Sequence, residues 1–142
     1  MKIKKNKVVG IMIIMLFSFS CKFYSDKNLG NNYLFWEDGN QSEIIYSENG
    51  ENGGFTIIDA NVSQYNFNNK YIIAKSNWLK NKGNETYWII DKSIIIKKDT
   101  LKKGLLFEQA MKKALIGPLT KDSFNLFMKT HNINLKLKKA IN

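Results

Sequence analysis

Two aspartates close strand-like runs in this chain, Asp59 in "FTIID" and Asp91 in "YWIID", and a single histidine, His131, stands in "MKTHN". Two carboxylates held at a fixed separation can act as acid and base or as nucleophile in glycoside hydrolysis. Glu108 is the third acid such a hydrolase would recruit. An aspartate after a strand more often bonds the backbone of its own loop, and that is the reading we adopt for both. His131 falls on the apolar stripe Phe124, Phe127 and Met128, near a helix end where a positive imidazole suits the macrodipole. No acid, cysteine or second histidine flanks it, so neither a metal set nor a serine triad gathers around it. Glu37, Asp38, Glu48 and Glu51 are scattered oxygen donors, far from calcium-loop spacing. "NGENGG" lacks the strand-to-helix context and the lysine of a phosphate loop. The expected catalytic, metal and cofactor sets are therefore all empty.

The aromatic residues are a better source of chemistry. Trp36, Tyr65, Phe67, Tyr71, Trp78, Tyr87 and Trp88 alternate with asparagines along the middle of the chain. Ring faces beside amide side chains can stack on sugars or dock a protein. Trp78, Trp88, Tyr87 and Tyr71 are the residues such a surface would use. The competing reading places the rings in a sheet core and the asparagines in turns. Trp78 is the best single candidate for exposure, because it lies in the polar connection Ser76 to Asn84.

The elements that must position these residues follow from patterning. "YLFW" and "EIIY" around "EDGNQS" read as a hairpin, and "SENGENGG" reads as a flexible loop before "FTIID" restarts as a strand. "KYIIAKS", "ETYWIID" and "SIIIKK" are β-branched and aromatic runs that suggest an antiparallel meander. Their consecutive apolar residues require cover on both sheet faces. Phe107, Ala110, Met111, Ala114 and Leu115 form a helical stripe, stopped by Gly117 and Pro118. A second helix starts at Thr120 as N-cap, with Asp122 in its first turn and Leu119 and Phe124 as a hydrophobic staple. Asn132 is a left-handed stop, and "INLKLK" alternates as an edge strand. The fold class is α+β: a small antiparallel sheet of five to six short strands packed against one or two C-terminal helices.

The address of the protein is written at its start. Lys2, Lys4, Lys5 and Lys7 precede an apolar run from Val8 to Phe19, and Cys21, the one cysteine of the chain, follows Ser20. A basic start, roughly 7–15 apolar residues and a small residue is the layout of an export signal. An uncleaved membrane helix needs about 20 apolar residues, and this run is shorter. The segment resembles a bacterial lipoprotein signal, in which the cysteine thiol is alkylated by a diacylglyceryl group and becomes the mature first residue. Ser18 and Phe19 depart from the preferred residues of that pattern. The resemblance implies a signal peptide over 1–20, a lipidated Cys21 with a flexible tether to residue 32, and one domain over 33–142.

Removing residues 1–21 leaves 121 residues, enough for one domain, with no cysteine for a disulfide. The formal charge of +10 then falls, because four lysines leave, to 18 lysines against 12 acids. Every basic residue is lysine. Readers of bases and phosphates lean on the guanidinium of arginine, so nucleic acid is not expected as a partner. Electrostatic attachment to anionic lipid or glycan remains a secondary expectation.

"KYIIAKS", "YWIID" and "GPLTKDSF", in this order, resemble a family of small uncharacterised bacterial lipoproteins over roughly residues 55 to 132. The resemblance implies a lipid anchor and a small α+β domain in the cell envelope, and it brings no activity. The expected function is a non-catalytic binding module held on a membrane through acylated Cys21, with an envelope protein or glycan as partner. A glycan or peptidoglycan binder using the Trp/Tyr/Asn surface is the alternative. An inhibitor or immunity-type role and a hydrolase stand behind it.

Overall fold

The computed structural model describes residues 27–39, 41–48, 54–59, 61–77, 85–94, 96 and 104–140. The leader, Cys21, the first part of the tether, the loop at 49–53 and the connection that carries Trp78 lie outside them. The described chain is α+β, as expected, but its strands number nine and form two antiparallel sheets rather than one. Sheet 1 contains β1 (Lys27–Gly30), β2 (Tyr33–Asp38), β3 (Gln41–Tyr46) and β4 (Phe55–Ile58), in that spatial order. Sheet 2 runs in the order β8 (Leu115–Leu119), β7 (Glu85–Asp91), β6 (Tyr71–Asn77), β5 (Val62–Phe67) and β9 (Lys138–Lys139). Helix α1 (Gly104–Ala114) leads directly into β8, and α2 (Lys121–Thr130) follows it.

The consecutive apolar residues of β6 and β7 explain the layering. Ile72, Ala74, Trp88 and Ile90 point to one face, where they meet Tyr33, Phe35, Ile44, Tyr46 and Ile58 of sheet 1 and Phe107, Met111 and Ala114 of α1. Tyr71, Ile73, Tyr87 and Ile89 point to the other, against Phe124 of α2 and Ile133. Because side chains alternate with period two, one pair of adjacent strands serves two cores. Each buried aliphatic side chain contributes about 1.5–3 kcal/mol, so the central pair anchors both layers.

The polar groups around Trp88 in the inter-sheet core are satisfied locally. Trp88 Nε1 donates to Ser76 Oγ at 2.8 Å, and Ser76 Oγ lies 2.9 Å from Thr86 Oγ1. Thr86 Oγ1 in turn donates to the Ser76 carbonyl.

Four expectations need correction. The tether was to run to residue 32, yet Lys27–Gly30 is a strand whose Leu29 is fully buried; one apolar residue in a polar run suffices to dock it beside β2. "GPL" does not merely end a helix. It lies inside β8, an edge strand paired with β7 whose register shifts between Ile116 and Leu119; edges and bulges are where a sheet tolerates proline. β8, not "SIIIKK", pairs with β7, while Ile94 and Ile96 pack onto the inter-sheet core. "INLKLK" alternates inward as read, with Ile133 buried and Leu135 and Leu137 half-buried, but ladder pairing is confined to Lys138–Lys139 against β5.

Helix α2 follows its sequence signals closely. Thr120 accepts from Ser123 N, Asp122 sits in the first turn, and Asn132 takes a φ of 53°.

Candidate functional site

The aromatic candidates are placed by the two-faced sheet. Tyr71, Tyr87 and Trp88 are 9%, 6% and 8% exposed, and they do not share a face: Trp88 belongs to the inter-sheet core and the tyrosines to the α2 core. The Tyr87 ring packs at a tilt against Phe124, centres 5.1 Å apart, and its hydroxyl donates to Glu85. The stacking platform expected of these three is therefore corrected to core packing. Their β-sheet period, read strictly, assigns adjacent Tyr87 and Trp88 to opposite faces.

The acids are also separated. Asp91 Oδ1 accepts from both the backbone N and the hydroxyl of Ser93, the loop-bonding role anticipated. Asp59 is exposed at the end of β4, and Glu108 is exposed on α1. His131 is exposed and stacks on Phe127, ring centres 3.7 Å apart. Among the described residues, no three His, Cys, Asp or Glu side chains come together to hold a metal. No described helix is long and apolar enough to cross a membrane.

What the structure does assemble lies at the two seams between the sheets. β4 and β8 are edges of sheet 1 and sheet 2, and α1 lies between them. Their seam holds an open groove of about 410 Å3 lined by Thr56, Ile57, Phe107, Met111 and Leu115, with Glu108 and Lys112 on its rim. Phe55, 46% exposed, lies beside it with its ring centre 4.3 Å from that of Phe107. Helical spacing puts Phe107 and Met111 on one face of α1, where both are buried, while Phe55 of the short edge strand β4 is left exposed beside the groove.

The opposite seam joins β1 to β5 and β9. It holds a cleft of about 370 Å3 lined by Lys27, Phe35, Tyr65, Asn66, Phe67, Lys138 and Lys139. Phe35 and Tyr65 stack at 4.4 Å to make the floor. Lys27 Nζ lies 5.6 Å from the Tyr65 ring centre and 6.0 Å from that of Phe67, within cation–π range. β9 is held in place by pairing with Gln64 and Tyr65, and by Asn66 Nδ2 donating to the Lys136 carbonyl. Among the described residues, no carboxylate lines the cleft. Glu37 stands close enough to Tyr65 to add to the upward push that burial gives its phenol. Sequence reasoning missed this cleft because Lys27 and Lys138 are far apart in the chain, and β1 and β5 were not recognised as strands.

A third, smaller cavity of about 220 Å3 is lined by Asn31, Asn32, Tyr33, Tyr46, Lys92, Ile94 and Ile96. Lys92 is only 4% exposed. Its ammonium donates to the Leu29 carbonyl and stands 5.5 Å from the Phe67 ring centre. Burial pulls its pKa below the ordinary lysine range. Tyr33 is 1% exposed, and its hydroxyl has no hydrogen-bond partner among the described residues.

Together these features define a small α+β module of two facing sheets, with surface clefts at its seams. Residues 30–141 match the family described as Protein of unknown function (DUF3997), and the chain belongs to that family. No curated protein and no solved structure matches the chain.

Proposed function

We propose that the protein is a lipid-anchored component of a bacterial cell envelope, and that its domain is a non-catalytic binding module. The carrying observation is the position of Cys21. It directly follows the short apolar run of a basic leader, and the first described strand begins only six positions later, at Lys27. Such a layout leaves little chain between a lipid on that cysteine and the folded module. Two or three acyl chains on one cysteine would make attachment durable, because each buried methylene contributes about 0.8 kcal/mol and a single chain binds only marginally.

The α1 groove supports the binding role. Its walls are edge strands, the geometry that accepts an extended polypeptide by strand addition, and Phe55 with Phe107 supplies an apolar anchor. An extended segment of another envelope protein is the occupant this chemistry suits. The glycan-binding alternative loses its basis among Tyr71, Tyr87 and Trp88, whose rings are used in packing.

Fractionation of cells tests the reading. The wild-type protein is expected to sediment with membranes and to resist high salt, whereas Cys21→Ala is expected to leave that fraction. Equal sedimentation of both would defeat the anchor assignment. For the groove, a photo-crosslinker at Thr56 should trap an extended peptide segment, and Phe55→Asp should abolish the adduct. Adducts that persist in Phe55→Asp would remove the groove as the docking site.

A further inference from the structure

We propose that the basic cleft is the face the domain turns to the bilayer, with Lys27, Lys138 and Lys139 lying against the phosphates of anionic phospholipid headgroups. The inference builds on the lipid-anchor reading above and adds an orientation to it.

Reach is the first argument. Five residues separate Cys21 from Lys27, and an extended chain spans at most about 3.3–3.6 Å per residue. Lys27 is therefore held within about 20 Å of an acylated sulfur, whatever path the intervening residues take. β1 and its surroundings become the part of the domain nearest the membrane. β9 lines the same cleft, although it lies more than a hundred residues further along the chain.

Charge is the second. Lys27, Lys138 and Lys139 are exposed, and none forms an ion pair with another described residue; the described pair, Lys75 with Glu85, lies on β6 and β7. Lys22 and Asp26 of the intervening chain cancel. The opposite seam is balanced instead, with Glu108 facing the same groove as Lys112. Lysines near an anionic surface are attracted to it within about a Debye length, roughly 10 Å at 0.1 M salt. The Tyr65 and Phe67 rings hold the exposed Lys27 ammonium at the cleft, 5.6 and 6.0 Å from their centres, with its outer side open to a phosphate.

The strand orders then fix the other side. β1 and β4 are opposite edges of sheet 1, and β8 and β9 are opposite edges of sheet 2. Resting the β1/β9 seam on lipid turns the β4/β8 groove away from it, open to a partner in the envelope.

The test uses the full protein extracted from membranes, reconstituted on vesicles of phosphatidylglycerol or of phosphatidylcholine. Lysines are acetylated briefly with a water-soluble reagent, and each is read by peptide mass. Lys27, Lys138 and Lys139 should react at least about threefold more slowly on phosphatidylglycerol, with the difference vanishing near 0.5 M salt as the charges are screened. Lys112, Lys113 and Lys121 should react alike on both. Lys138→Glu with Lys139→Glu should abolish the protection of Lys27, and unchanged circular dichroism would show that the fold survives. Equal labelling on both lipids, or protection of Lys112 and Lys113 instead, would overturn the proposal. So would protection by dextran sulfate in solution without protection by phosphatidylglycerol. The intact mass of the same preparation separates the two readings: absence of acyl mass sinks the anchor, and selective protection of the unacylated chain by added phosphatidylglycerol vesicles would still uphold the headgroup face.

Discussion

Lys92 Nζ donates a 2.6 Å hydrogen bond to the carbonyl of Leu29, a residue 63 positions earlier in the chain. Asn31 Nδ2 returns a bond to the Lys92 carbonyl at 2.9 Å, and Lys92 N donates to Lys70 O. The turn after β1 and the end of β7 are thus clamped reciprocally. Without this clamp, β1 would keep only its ladder with β2 and the burial of a single side chain, Leu29. A hydrogen bond from a charged group contributes about 1.5–3 kcal/mol, so Lys92→Ala is expected to destabilise the fold by about 2–3 kcal/mol. Lys92→Met, which keeps the apolar stem, should cost less than Lys92→Ala. Chemical denaturation of the three proteins checks the order.

The same lysine predicts a pH effect with a definite sign. Burial lowers its folded pKa, so the unfolded chain holds the proton more tightly. The handicap of a buried charge is fully present below the folded pKa and fades as pH rises toward the unfolded value of about 10.4. The stability of wild type minus that of Lys92→Met should therefore climb through that window. A flat difference would contradict the burial of this cation.

Tyr33 offers the opposite case. Its hydroxyl is buried without a partner among the described residues, and burial, followed by the nearby Tyr46 and Asp91, raises its pKa well above the ordinary range. Removing an unsatisfied buried hydroxyl is close to neutral or stabilising, so Tyr33→Phe should gain up to about 1 kcal/mol. An acid with a raised folded pKa loses stability as pH climbs past its unfolded value, about 10 for tyrosine. The variant should consequently decline less steeply than wild type in alkaline denaturation.

Ser76 is the hub between Trp88 and Thr86. Ser76→Ala would leave the Trp88 Nε1 proton unpartnered in the core, at a cost of about 1–3 kcal/mol. Urea unfolding followed by tryptophan emission reads the loss. Trp88→Phe combined with Ser76→Ala should cost less than the sum of the two changes, since the second removes a partner already gone.

Gly117 sits at φ 143°, and an added Cβ would fall 2.7 Å from Trp88 Cε3. The backbone conformation and the ring both oppose a side chain, so Gly117→Ala should destabilise by at least about 2 kcal/mol. A thermal melt gives the answer, and a neutral result would mean that β8 does not press on Trp88 as described.

Much of the architecture was legible because local signals and burial agreed. The Ile72-Ile73 and Ile89-Ile90 doublets required a sheet covered on both faces, and the cap, charge and staple around Thr120 fixed α2 to the residue. β5 was missed because Gln64 and Asn66 dilute its alternation, although Val62 and Tyr65 are buried. β1 was missed because a single leucine carries its burial. The docking of sheet 1 on sheet 2 is a long-range choice that no window of sequence displays. The basic cleft depends on that choice, so its lysines looked like solvated charge until β1 and β9 were brought to one seam.

The claim on which the functional account turns is a lipid on Cys21, and the intact mass of the membrane-extracted protein tests it most directly. The account predicts a chain beginning at Cys21 and heavier by a diacylglyceryl group with or without a further acyl chain, and no such species from Cys21→Ala. Recovery of the unmodified 142-residue, 16.4 kDa chain from the soluble fraction would contradict it.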